Sequence, residues 1–119
     1  MKNEETIQIA GNLRKLITLF EQHEVVEWLE PLKLGLDRIQ KNDVSGVRKI
    51  HSCYGAMGSI GDLWISLQDS QDNAEIQKKE LEINDQISQL RSIIYEQSVQ
   101  ILGIKPFESI KVKKIFNKK

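Results

Sequence analysis

The sequence has few of the residues that build disulfide-stabilised or catalytic sites. Its 119 residues include one cysteine, two histidines and two prolines, and 6% of them are aromatic. A single cysteine cannot form an internal disulfide, which is typical of proteins from a reducing compartment. No apolar run approaches the roughly 20 residues of a membrane-spanning helix, and the first residues lack the apolar core of a secretion signal. We therefore expect a cytoplasmic protein that makes no contact with a membrane.

The motifs of common enzyme and metal sites are also missing. The sequence has no phosphate-binding or dinucleotide-binding glycine pattern. His23 and Glu27 have the i, i+4 spacing of helix-borne metal ligands, but no further histidine or cysteine lies close by, which favours a solvated helix start. His51 and Cys53 are two residues apart and would lie on different faces of a helix, which favours a buried structural thiol at Cys53. We predict no enzymatic activity, no metal and no cofactor.

The net charge of zero conceals two regions of opposite charge. Residues 1–102 carry 11 Lys and Arg against 16 Asp and Glu, whereas residues 103–119 carry six Lys and one Glu. An acidic body disfavours nucleic acid, because binding to phosphates needs clustered cations. The same body favours a basic protein partner, since its charge would steer the approach. The candidate partner-binding residues form two groups: Glu24, Glu27 and Glu30, and Asp69, Asp72 and Glu75.

The first of these groups belongs to a regular series. Glu21, Glu24, Glu27 and Glu30 recur at every third residue. This spacing predicts a continuous acidic ridge on a solvated face.

Apolar periodicity predicts an all-α fold. We expect a single-domain bundle of four to six helices over residues 1–104, followed by a basic C-terminal tail over residues 105–119. Pro31 should kink the second helix, and Gly46 is a weak point of the third. The predicted helices are 4–22, 24–41, 44–52, 62–67 and 74–102.

The last predicted helix is the longest and ends at Gly103, a residue typical of the position after a helix. Its apolar seam consists of Ile76, Ile83, Ile87, Leu90, Ile94 and Ile101. The seam is expected to pack against the first two helices, although a heptad-like spacing also suits a homodimer.

Residues 54–64 contain three of the seven glycines and interrupt the helical pattern. The stretch predicts a tight structural turn that brings two helices together, with Trp28 and Trp64 packed near it. An anion-binding loop ahead of a helix is the alternative interpretation. The residues assigned to the structural turn are Tyr54, Gly55, Met57, Gly58, Ser59 and Asp62.

This stretch resembles a family of small, mostly uncharacterised bacterial proteins that share Tyr-Gly-Gly-Met-Gly-Ser followed by Asp-Leu. Here the motif runs from Tyr54 to Ser59 with Asp62 and Leu63, and Ala56 stands where the family commonly has glycine. The resemblance covers about residues 13–67 and supplies no binding residue. Such proteins resemble immunity proteins of bacterial toxin systems, including contact-dependent growth inhibition.

Three functions are compatible with these observations. The leading hypothesis is an immunity protein that neutralises a cognate toxin, plausibly a basic nuclease, by stoichiometric occlusion through acidic residues. The second is a structural module that homodimerises through the long helix. The third is a small-anion or nucleotide-binding enzyme that uses residues 54–59.

Overall fold

The computed structural model describes residues 1–54, 60 and 63–104. These residues form four α-helices and, within that part of the chain, no strand. The predicted all-α bundle with a long C-terminal helix is confirmed. The helices are α1 (Asn3–Gln22), α2 (Leu29–Gln40), α3 (Ser45–His51) and α4 (Ala74–Leu102).

The apolar face of α1 lies at the centre of the core. Ile9, Leu13, Leu16 and Phe20 are completely buried on it. The other helices each add buried aliphatic residues, among them Leu32, Ile39, Val47, Ile50, Ile87 and Ile94.

α1 and α4 run in opposite directions. The side-chain amide of Asn12 donates a hydrogen bond to Oε1 of Gln97 (3.2 Å), and Leu19 lines one groove together with Gln86 and Leu90. Because positions later in α1 face positions earlier in α4, the first turns of α4 extend beyond the end of α1. The end of α1, the start of α2 and the start of α4 therefore lie at the same end of the bundle.

The predicted second helix begins too early. Glu24 has a left-handed backbone (φ 58°), and the N–H of Val25 donates to the carbonyl of Phe20 (2.8 Å), so the chain turns and α2 starts at Leu29. Pro31 then lies in the first turn, where a backbone N–H has no acceptor within the helix. The expected kink at Pro31 is wrong for this reason.

α2 and α3 cross at two glycines. A Cβ atom on Gly46 would lie 2.5 Å from the carbonyl oxygen of Gly35 and 2.8 Å from the nitrogen of Ile39. Gly46 is therefore required by a close approach of two backbones, rather than being only a weak point of α3.

The short helix predicted over 62–67 does not form in residues 63–67, which have no regular secondary structure. Trp64 is 55% exposed, and the turn near which Trp28 and Trp64 were expected to pack lies outside the described residues. The chain reaches α4 through turns at residues 68–72.

α4 has the bounds that the sequence predicts. Asn73 caps its start by accepting hydrogen bonds from the N–H groups of Glu75 and Ile76, and Gly103 ends it in the left-handed conformation (φ 65°). Its seam packs against α1 and α3, whereas we expected α1 and α2. Within the described residues, no helix has both the length and the apolar character needed to cross a membrane.

Candidate functional site

The two groups of candidate acidic residues lie at the same end of the bundle. Glu24 and Glu27 are in the connection between α1 and α2, Glu30 is in the first turn of α2, and Asp69 and Asp72 are in the turns before α4. Glu75 occupies the first turn of α4. We call residues 21–30 and 66–82 the acidic end.

The acidic end has a strong excess of negative charge. It contains nine carboxylates and two lysines, whereas residues 37–54 contain two carboxylates and four Lys or Arg. All six candidate residues are exposed. None of the six forms an ion pair with the described part of the chain, so their charge is available to a partner.

The four glutamates of the predicted ridge do not share one helix. Glu21 belongs to the last turn of α1 and pairs with Lys33 of α2 (2.8 Å), while Glu24 lies outside any helix. The two groups lie at the same end because α1 and α4 are antiparallel, and not because of helical spacing.

A pocket of about 390 Å³ opens at the acidic end. It is formed by the turn before α4 and by the first turns of that helix, with Asp69, Asp72 and Glu80 among its lining residues. Asp69 has a left-handed backbone (φ 65°), which aspartate tolerates better than most residues.

Three polar side chains of α4 hold the segment that leads to this turn; we call Glu80, Asn84 and Arg91 the polar clamp. Asn84 exchanges two hydrogen bonds with the backbone of Ile65, both of 2.8 Å, and Glu80 accepts from the N–H of Leu67 (2.7 Å). Arg91 donates to the carbonyls of Ile60 and Leu63 (2.9 and 3.0 Å). The polar clamp therefore fixes the backbone that leads to the second acidic group.

Sequence reasoning missed the polar clamp. Its members are spaced by four and seven residues, so they share one face of α4 beside the apolar seam. A polar residue such as Asn84 between Ile83 and Ile87 is a usable signal, because a buried polar side chain requires hydrogen-bond partners.

Tyr54, the first residue of the predicted structural turn, is anchored on α4. Its hydroxyl donates to the carbonyl of Arg91 (2.9 Å), and its ring centroid lies 5.2 Å from that of Tyr95. Burial raises the pKa of the Tyr54 hydroxyl well above its usual range. The other assigned turn residues lie outside the described residues: Gly55, Met57, Gly58, Ser59 and Asp62.

We expect Tyr54→Phe to lower the free energy of unfolding by about 1 kcal/mol, because the hydrogen bond to Arg91 is lost while the ring remains. Urea denaturation measures the change. Ser92→Ala, which removes an exposed hydroxyl from the same helix, serves as the control and should be neutral. Equal stability of the two variants would show that the hydroxyl contributes nothing.

The packing and burial of His51 and Cys53 favour a structural role for both side chains. The His51 ring stacks on Tyr95 with centroids 5.8 Å apart, and burial lowers the pKa of this histidine. Cys53 is 5% exposed, as expected for a structural thiol, and burial raises its pKa. Within the described residues, no group of three or more His, Cys, Asp or Glu side chains is arranged to hold a metal ion.

The lowered pKa of His51 predicts a pH dependence. Below about pH 6.5 His51 is protonated in the unfolded chain, whereas the folded protein binds that proton less readily. The free energy of unfolding therefore falls as the pH decreases through this value. We expect a lower free energy of unfolding at about pH 5.5 than at about pH 7.5, and His51→Gln should reduce the difference. His23→Gln, which leaves His51 in place, should retain it, and identical pH profiles for the two variants would contradict the assignment.

Comparison with known proteins adds one finding. Residues 21–73 match a family model described as a domain of unknown function, DUF6966. The matched range includes α2, α3 and five of the six candidate acidic residues. No curated protein and no solved structure matches the chain.

Proposed function

We propose that the protein is a cytoplasmic immunity protein of a bacterial toxin system, which binds and neutralises a cognate basic nuclease. The observation that carries this proposal is the concentration of exposed, unpaired carboxylates at the acidic end. The resemblance around residues 54–63 points to the same class of protein.

The charge of the acidic end suits the occlusion of a nuclease. A nuclease binds substrate phosphates with clustered cations. Exposed carboxylates are attracted to the same cations, accelerate association and exclude the substrate from them. Inhibition of this kind is stoichiometric, and salt weakens it by screening the charges.

Exposed apolar residues supply anchors for such a complex. Val26, between Glu24 and Glu27, is 68% exposed, and Trp64, which precedes the acidic turn, is 55% exposed. Large side chains buried at the centre of an interface usually contribute most of its affinity, while the surrounding charges contribute specificity and association rate. We therefore assign Val26 and Trp64 as the apolar residues that the toxin buries. The six carboxylates form the charged residues around them.

The test is co-expression with a nuclease toxin from the same genome, followed by affinity measurement on the purified complex. We expect Glu27→Gln/Glu30→Gln and Asp69→Asn/Asp72→Asn each to weaken binding about tenfold, or about 1.4 kcal/mol. The control, Glu4→Gln/Glu96→Gln, removes two exposed carboxylates away from the acidic end and should change affinity less than about twofold. The absence of both a complex and protection of the cells would refute the proposal.

A further inference from the structure

A second surface, with charge of the opposite sign, lies along the middle of the bundle. It is a groove of about 610 Å³ between the antiparallel helices α1 and α4. Its lining includes Arg14, Lys15, Leu19, Gln89, Leu90 and Ile93.

The two walls of the groove differ in charge. Arg14 and Lys15 on α1 are exposed, and neither forms an ion pair with the described part of the chain. The α4 wall presents the neutral amides of Gln86 and Gln89. The carboxylates closest along that helix are Glu82, Asp85 and Glu96, none of which lines the groove, and Asp85 accepts a hydrogen bond from Gln89 (3.0 Å).

Apolar side chains line the groove between its polar residues. Leu19 and Leu90 are half-buried at the edge of the core, and Ile93 remains 43% exposed. The lining of α1 extends from Asn12 to Leu19, about 10 Å or two helical turns at 1.5 Å per residue. This length matches the i, i+3 or i+4, and i+7 anchors with which a helix occupies a groove.

We propose that this groove docks an amphipathic helix of a partner protein, with acidic residues along one flank. The apolar stripe of that helix would cover Leu19, Leu90 and Ile93, and its carboxylates would meet Arg14 and Lys15. Charge complementarity selects an acidic occupant, because these cations are unpaired and the opposite wall is neutral. Two cations are too few to hold a nucleic acid on a body with net negative charge. The proposal is independent of the acidic end, which attracts a partner of the opposite charge.

The test is a selection of displayed helical peptides of about 18 residues, a length at which helices form in solution, against the full chain. We expect enriched sequences with an apolar stripe flanked by Glu or Asp. Arg14→Glu/Lys15→Glu should weaken the binding of these peptides at least tenfold, or about 1.4 kcal/mol. Methyl resonances of Leu19, Leu90 and Ile93 should shift when such a peptide binds.

The matched control is Lys78→Glu/Lys79→Glu, which reverses an adjacent pair of exposed lysines on α4 outside the groove lining. It should change the affinity of the peptides less than about twofold. Equal losses in the two variants would overturn the proposal, as would enrichment of basic peptides alone. A concentration-dependent dimer that Arg14→Glu/Lys15→Glu dissociates would assign the groove to a second copy of this chain and would also overturn it.

Discussion

Gly46→Ala should destabilise the protein by about 3 kcal/mol, the largest effect that we expect from a single added methyl group. The new Cβ atom would lie 2.5 Å from the carbonyl oxygen of Gly35 and 2.8 Å from the nitrogen of Ile39. Both are backbone atoms, so the clash cannot be relieved by a side-chain rotation and α3 must move away from α2. Since Val47 and Ile50 are completely buried on α3, this movement also disturbs the core.

Thermal unfolding measures the effect, and a loss of about 3 kcal/mol should lower the Tm by about 12 °C. Gly11→Ala is the matched control, because a Cβ atom there meets nothing within 4 Å. In the middle of α1 it should stabilise the protein by up to about 1 kcal/mol. Gly35→Ala should fall between the two, since its added methyl mainly meets the side chain of Ile50. A Tm for Gly46→Ala close to that of Gly11→Ala would contradict the close crossing of α2 and α3.

Asn84→Ala should lower the free energy of unfolding by about 2–4 kcal/mol. Asn84 is 6% exposed and makes three hydrogen bonds of 2.8 Å, two with Ile65 and one with the carbonyl of Glu80. The alanine leaves the N–H and the carbonyl of Ile65 without their partner in a buried position. Unsatisfied buried backbone groups are costly, which explains the size of the effect.

Hydrogen exchange at the backbone amide of Ile65 is the most specific test of this prediction. We expect the protection of that amide to be lost in Asn84→Ala. Asn12→Ala is the control, because Asn12 makes one hydrogen bond, to Gln97, in a half-buried position, and its removal should cost about 1 kcal/mol. If the amide of Ile65 stays protected in Asn84→Ala, the polar clamp does not hold this segment.

The elements that could be predicted from the sequence are those determined by local signals. α4, a helix of 29 residues, has an apolar seam along its length and a glycine at its end, so its bounds were predicted to the residue. α1 differs from its predicted start by one residue. In both helices the apolar periodicity and the residues at the helix ends predict the same bounds, so the sequence favours no other assignment.

The errors arose where distant residues decide the local structure. Leu63, Trp64 and Leu67 have helical spacing, but the backbone around them is bound by side chains of α4 that lie 13 to 28 positions along the chain. The break between the first two helices was predicted, but the left-handed backbone of Glu24, a residue that is not glycine, was not, and α2 starts at Leu29 instead of residue 24. The acidic residues were correctly expected to be exposed, but the antiparallel packing of α1 and α4 is what brings their two groups to one end.

A titration of the purified nuclease with the full chain measures the proposed activity directly. At an ionic strength of about 0.15 M, we expect nuclease activity to fall linearly and to vanish at one equivalent. At a nuclease concentration about a hundredfold above the Kd of the unmodified chain, Glu27→Gln/Glu30→Gln and Asp69→Asn/Asp72→Asn should each give an incomplete, curved titration. Glu4→Gln/Glu96→Gln should match the unmodified chain. Nuclease activity that remains unchanged by the full chain, or that all three double variants abolish equally, would contradict the acidic end as the inhibitory surface.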